Sequence, residues 1–263
     1  MTEQAGAVLF EVRGPAVWLT INRAERRNAL NDAVIEGLMG GLTRASAARG
    51  GRVVVITGAG DRAFCAGGDL AGSMAPAEGR VRQHDRRGLM GELLAALGQH
   101  PQPVVARVNG AALAGGFGLM LACDVVVAAD DVEVGTPEVG LGLWPFMISA
   151  VILRNLPRKV ALEMMLTGRR FSAAEAERWG MVNRLAPRPR LDQVVDELVA
   201  TLASTSPVAV RLGKRSLYRA QDMGLEEGLA YLQAMLTVDL ESEDAAEGVS
   251  AFLQRRAPEW KGR

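Results

Sequence analysis

The chain has 263 residues, 49% of them hydrophobic, with 30 basic and 30 acidic side chains that cancel to a formal charge of zero. That length and apolar content suffice for a sizeable core, and the charge balance argues against a polyanionic nucleic acid or an anionic membrane surface as the main partner. Cys65 and Cys123 form no CxxC pair, and with only His84 and His100 beside them they make neither a disulfide framework nor a metal set.

The opening residues, Met-Thr-Glu-Gln-Ala-Gly-Ala, carry no basic segment leading into an apolar h-region, and no apolar run approaches the length of a bilayer span. A cytoplasmic location is therefore expected. Residues 17–21 read as a strand, and from Asn28 the spacing of Leu30, Val34, Leu38 and Leu42 predicts a helix. Short β-branched runs at 53–57, 104–108 and 125–128 are each bounded by Gly, Pro or Asp, which suggests repeated strand-turn-helix units. From about Ile148 the pattern turns helical, over 159–166, 172–179, 191–203, 207–219, 225–240 and 243–255. Ser172 and Glu175 have capping-box spacing, and Gly180 stands where a helix stop is expected. Pro-Arg-Pro-Arg at 187–190 is the predicted boundary between a core, 1–190, and a helical region, 191–263.

The segment Gly58-Ala-Gly60-Asp-Arg-Ala63 fits the dinucleotide pattern G-x-G-x-x-A, but its glycines lead into a second glycine turn rather than a periodic helix. Glu78, at the distance of the ribose-binding acid, does not end a strand-like run, so nicotinamide binding is rejected. GxxxxGK[ST] and GxSxG are both missing.

The most informative stretch is Asn109-Gly-Ala-Ala-Leu-Ala-Gly-Gly-Phe-Gly118, set between the apolar run 103–108 and the helical-looking 119–123. A strand that delivers a glycine turn to a helix start leaves backbone N–H groups and the positive end of the helix dipole facing an anion. A second such turn, Ala63-Phe-Cys-Ala-Gly-Gly-Asp69, follows the strand-like 53–57 and offers the second donor of a two-pronged oxyanion site.

Together with Ala122-Cys-Asp124 and Thr136-Pro-Glu138, these motifs resemble the crotonase (enoyl-CoA hydratase/isomerase) superfamily. The likeness runs along nearly the whole chain, from Ile21-Asn-Arg23 and Asn28-Ala-Leu30 through Leu166-Thr-Gly168 and Gly180-Met-Val182 to Glu243-Asp-Ala-Ala-Glu-Gly248. It implies an α/β fold, a spiral of ββα units with a C-terminal helical trimerisation region. It also implies an acyl-CoA thioester as substrate, with coenzyme A as part of that substrate and no separate cofactor or metal, and a homotrimer or dimer of trimers.

Carried over position by position, the resemblance makes the backbone N–H groups of Gly68 and Gly115 the oxyanion donors. Glycine suits both places, where the backbone comes close to the ligand and positive φ is accessible. Family hydratases carry one glutamate three residues after the second donor and another on a later strand-end loop; here these places hold Gly118 and Glu138. Some relatives use an aspartate eight residues further on, where this chain has Phe146. Glu138 is thus the single expected acid/base. One base suffices to move a double bond between β,γ and α,β positions, whereas hydration gains from two. Isomerisation is expected ahead of hydration, with an inefficient hydratase, a thioesterase or a non-catalytic acyl-CoA-binding protein as alternatives.

Ala66, Asp69, Arg26, Trp144 and Phe146 complete the expected substrate-binding set, with Asp69 also shaping its loop through backbone hydrogen bonds. Trp144, Phe146 and Met147 are candidates to line an acyl pocket, together with Met74 and Leu89, under a flap at 72–82. Arg26, Arg27, Lys214 and Lys261 are candidates for the CoA phosphates.

Overall fold

The computed structural model describes residues 6–48, 50–69 and 79–263. Its main sheet has six strands: β1 (Val8–Arg13), β2 (Ala16–Ile21), β3 (Val53–Gly58), β5 (Val104–Val108), β7 (Val125–Ala129) and β10 (Arg184–Ala186), in the order β1-β2-β3-β5-β7-β10. Only β1 and β2 are antiparallel; the other neighbours run parallel. A smaller sheet orders β4 (Ala63–Cys65), β6 (Ala111–Leu113), β8 (Glu133–Gly135) and β9 (Arg170–Ser172) as β4-β6-β8-β9. Successive pairs β3–β4, β5–β6 and β7–β8 each place one strand in each sheet, so the chain winds as a spiral of ββα turns.

Every residue of β3 is buried, as are most of β2, β5 and β7, which is why these strands read as unbroken Val/Ile runs rather than alternating ones. The expected strands at 17–21, 53–57, 104–108 and 125–128 lie within them. The helix expected from Asn28 begins later, at Asp32–Ala47, because Asn31 is the N-cap and its side chain accepts the Val34 N–H. Asn28 itself sits at φ 56°, outside any helix.

A helix at Arg80–Gln99 was not legible in the sequence, whose stretch Arg80-Val-Arg-Gln-His-Asp-Arg-Arg has no apolar period. It takes in residues 80–82 of the expected flap, and Met74 and the rest of that flap before Gly79 lie outside the described residues. In the C-terminal part the expected helices appear as Arg158–Thr167, Ala173–Arg178, Leu191–Ala203, Pro207–Ala220, Leu225–Leu240 and Glu243–Gln254. Ser172 and Glu175 form the predicted capping box.

The helix Pro207–Ala220 is fastened to the sheet by a nearly buried ion pair, Lys214 Nζ to Asp124 Oδ2 at 2.6 Å. Asp124 also accepts the Val104 N–H at 2.7 Å and the Tyr218 hydroxyl at 3.0 Å, and Lys214 donates to the Leu97 and Gln102 carbonyls. Lys214 therefore has an internal structural partner set, which corrects its assignment to coenzyme A phosphates. No helix among the described residues is long and apolar enough to cross a membrane.

Candidate active site

Strands β4, β6 and β8 lie side by side and parallel in the small sheet. The loops leaving their C-terminal ends carry Gly68, Gly115 and Glu138, so three segments distant in sequence emerge at one edge. Neighbouring strands are about 4.8 Å apart, which sets the spacing at which these loops begin. A register shift between Ala63 and Cys65, where β4 meets β6, bends the chain just before the Gly68 loop.

All three residues line one cleft of about 730 Å³, with Leu30, Ile35, Met90, Trp144, Phe146 and Ile148 among its apolar walls. A Cβ on Gly115 would stand 3.7 Å from the Gly68 nitrogen, and one on Gly67 would stand 3.3 Å from the Gly115 nitrogen. The two peptide groups are thus immediate neighbours. Among the described residues, neither N–H is used in the turn and loop hydrogen bonding. Gly115 opens the helix Gly115–Ala122, whose dipole adds to its N–H, and the rest of that helix is buried.

The backbone twist that aims these N–H groups differs from the expectation. Positive φ falls not on Gly68 and Gly115 but on the residue before each: Gly67 at 99° and Ala114 at 50°. Rotating the preceding residue turns the next peptide outward, so the donor itself keeps ordinary geometry. Ala114 pays for this with a non-glycine residue in a sparsely populated region, held by its N–H bond to the Gly135 carbonyl at 2.8 Å. Gly135 ends β8, so the same bond ties the Gly115 turn to the segment that delivers Glu138.

Glu138 sits in a 3₁₀ turn, Pro137–Leu141, which Gly142 closes at φ 72°. Its Oε2 is buried without a hydrogen-bond partner among the described residues. Burial pushes its carboxyl above the usual range, partly offset by its own backbone N–H. A half-buried carboxylate facing a cleft, with one oxygen uncommitted and its proton affinity raised, is suited to accept a proton.

Trp144 and Phe146 line the cleft, although Phe146 is 78% exposed. Leu89 packs on the core, and Met90 takes the cleft position on that helix. Ala66, Asp69 and Arg26 are not in the cleft lining. The Ala66 N–H bonds the Arg27 carbonyl at 3.1 Å, and Asp69 pairs with Arg23 at 2.9 Å, bracing the Gly68 loop. Arg26 and Arg27 are exposed, and Lys261 lies by Glu243 at 3.5 Å.

Three buried polar residues that stand in the sequence motifs, Asn28, Asn109 and Thr136, and one apolar residue outside them, Ile148, have roles that sequence reasoning did not assign. Asn28 donates to the Ala59 and Ala63 carbonyls, and Asn109 donates to the Gly58 and Gly60 carbonyls, so the two hold the turn between β3 and β4 from both sides. Thr136, fully buried, precedes the Glu138 turn. Ile148 packs over Gly118. The one local signal was Asn28 itself, since asparagine tolerates the left-handed region better than most residues.

Over residues 14–263 the sequence matches the family model described as enoyl-CoA hydratase/isomerase. The chain belongs to the enoyl-CoA hydratase/isomerase family. It is 37% identical to the 2,3-dehydroadipyl-CoA hydratase of Escherichia coli (strain K12), across 93% of this chain and 94% of that protein. It is 40% identical to the carnitinyl-CoA dehydratase of Proteus mirabilis (strain HI4320), across 81% of this chain and 82% of that one. The crystal structure of an enoyl-CoA hydratase from Mycobacterium smegmatis matches with a TM-score of 0.92 at 32% identity, covering 97% of this chain and 99% of that chain. Membership makes this an enzyme-family fold acting on acyl-CoA, with the crotonase spiral and C-terminal helices expected from the sequence.

Proposed function

We propose that this protein is an enoyl-CoA isomerase in which Glu138 is the single acid/base. The observation that carries this reading is the grouping of Glu138, with its uncommitted buried oxygen, and the free N–H groups of Gly68 and Gly115 in one apolar cleft. The thioester oxygen accepts from both N–H groups. Glu138 removes the α-proton of a β,γ-enoyl thioester, and the electron pair passes into a dienolate whose negative oxygen is held by the two donors. The same carboxylic acid then protonates the γ-carbon, leaving the double bond between α and β. Donors fixed before reaction stabilise charge that appears only on the way to the intermediate.

A second reading is hydration of an α,β-enoyl thioester, favoured by the relatives named hydratase and dehydratase. It needs a water held at the β-carbon with only one carboxylate to manage it. Incubation with a 3-enoyl-CoA and, separately, a 2-enoyl-CoA distinguishes the two. Conversion of the first without rapid hydration of the second supports isomerisation; rapid hydration of the second with no isomerisation of the first rejects it. Equal acyl-CoA binding by wild type and Glu138→Ala, with no turnover by either, supports a binding module instead.

The helices Leu225–Leu240 and Glu243–Gln254 expose Leu225, Leu229, Leu236, Phe252 and Leu253, each more than half accessible. So much apolar surface on one part of a chain fits a homotrimer or a dimer of trimers. Light scattering on the eluting protein measures the subunit number directly.

A further inference from the structure

We infer that Ile148 is a specificity-determining residue, which fills the space beside Gly118 and lines the cleft there with hydrocarbon, so that proton return is favoured over addition of water. This rests on the single-base reading above and explains why a second carboxylate is not merely missing but excluded.

Gly118 lies one helical turn beyond Gly115 and is buried. A Cβ added to it would stand 2.6 Å from Ile148 Cβ and overlap Cγ2 of the same side chain. Even alanine does not fit there. Ile148 is 3% exposed, and its accessible side lines the same cleft as Gly68, Gly115 and Glu138. Its neighbour Met147 differs: it is 44% exposed, and only its flexible end, Cε, would lie 2.7 Å from a Cβ on Gly91 of the helix Arg80–Gln99. Of the two, Ile148 is the one held in a buried socket left by a glycine on another helix. The β-branched Ile148 has restricted χ1 freedom, and its Cβ, which no χ1 rotation moves, is the atom at 2.6 Å, so a rotamer change does not open the site.

The chemical consequence concerns water. Hydration forms a bond from the water oxygen to the β-carbon and delivers the water's proton to the α-carbon, which requires a polar group to hold that water. Isomerisation consumes no water: the proton taken from the α-carbon is returned at the γ-carbon. A cleft wall made of an isoleucine side chain offers no hydrogen bond at that point, and a buried water needs several polar partners.

The test compares wild type, Ile148→Ala, Gly118→Glu and the double variant Gly118→Glu/Ile148→Gly, which removes the Ile148 Cβ that stands 2.6 Å from the added one, with folding followed by circular dichroism and activity by isomerisation of a 3-enoyl-CoA and hydration of a 2-enoyl-CoA. Gly118→Glu alone is expected to lose cooperative folding, and the double variant to recover it. The double variant is expected to hydrate about 10²-fold faster than wild type, the scale of one added acid/base group. Ile148→Ala alone is expected to raise the ratio of hydration to isomerisation. An unchanged ratio in a folded Ile148→Ala overturns the assignment, as does a folded double variant with no gain in hydration; if the double variant does not fold, the Ile148→Ala ratio decides. Failure of wild type to isomerise a 3-enoyl-CoA removes the single-base reading instead, and Ile148 is then judged by the hydration rates of the folded variants relative to wild type.

Discussion

Leu30 and Gly68 form an isolated parallel bridge, in which the Leu30 N–H donates to the Gly67 carbonyl and the Asp69 N–H donates to the Leu30 carbonyl, both at 2.7 Å. The residues either side of Gly68 are thereby fixed, and in parallel pairing the peptide groups of Gly68 itself face the other way, toward the cleft. The glycine that this arrangement demands is Gly67, at φ 99° and with its Cβ position 2.6 Å from Ala114 Cβ; Gly68 has open space around its own. Gly67→Ala is expected to cost more than about 1 kcal/mol, while Gly68→Ala leaves the melting temperature unchanged. Thermal denaturation of the two variants side by side checks this.

Asn28 is fully buried and bonds the Ala63 carbonyl at 2.7 Å and the Ala59 carbonyl at 3.0 Å. Asn28→Ala removes both donors and places alanine at φ 56°. The expected loss is about 1–3 kcal/mol for each carbonyl left without a donor, with turnover falling as the Gly68 loop loosens. Urea unfolding followed by fluorescence measures the first and steady-state kinetics the second.

Burial raises the Glu138 carboxyl above its ordinary value of 4.5. The folded state thus holds this proton more tightly than the unfolded chain, so the group's contribution to stability is full below 4.5 and is lost as pH rises through the folded value. Glu138→Gln is expected to melt higher than wild type at neutral pH, with the advantage vanishing below pH 4.5. The same variant should lose about 10²–10⁴ in rate. The wild-type rate should also fall on its acid side with a midpoint above 4.5. A melting-temperature series over pH, set against a pH–rate profile, tests all three.

Lys214 is 9% and Asp124 17% exposed at the side chain. Burial lowers the Lys214 ammonium, and Asp124 beside it works in the opposite direction. Lys214→Met leaves a nearly buried carboxylate without its cation, an expected loss of about 3–5 kcal/mol. Because Lys214 joins the helix Pro207–Ala220 to the sheet, faster hydrogen exchange should appear first in that helix.

The long β-branched strands, most of the C-terminal helices and the Ser172 cap were legible because each is written in its own local sequence: continuous apolar runs, helical periodicity and a capping residue. Strands β4, β6, β8 and β9 were not, since three residues are too few to display a period. The helix Arg80–Gln99 was hidden for another reason, because its first half is charged and only Leu93, Leu94, Leu97 and Gly98 are buried. At the site, Gly68, Gly115 and Glu138 were named from the motifs that carry them. The twist at Gly67 and Ala114, the supports from Asn28 and Asn109, and the internal use of Lys214 were not.

By itself the sequence determined which family this chain joins and which residue types are available for chemistry, because turns, caps and apolar runs act over a few neighbouring residues. Only the tertiary structure decided what those residues meet. Gly118 and Ile148 compete for one volume although a strand pair and a 3₁₀ turn separate them in the chain, and close packing, which has no local signature, settles that contest in favour of hydrocarbon.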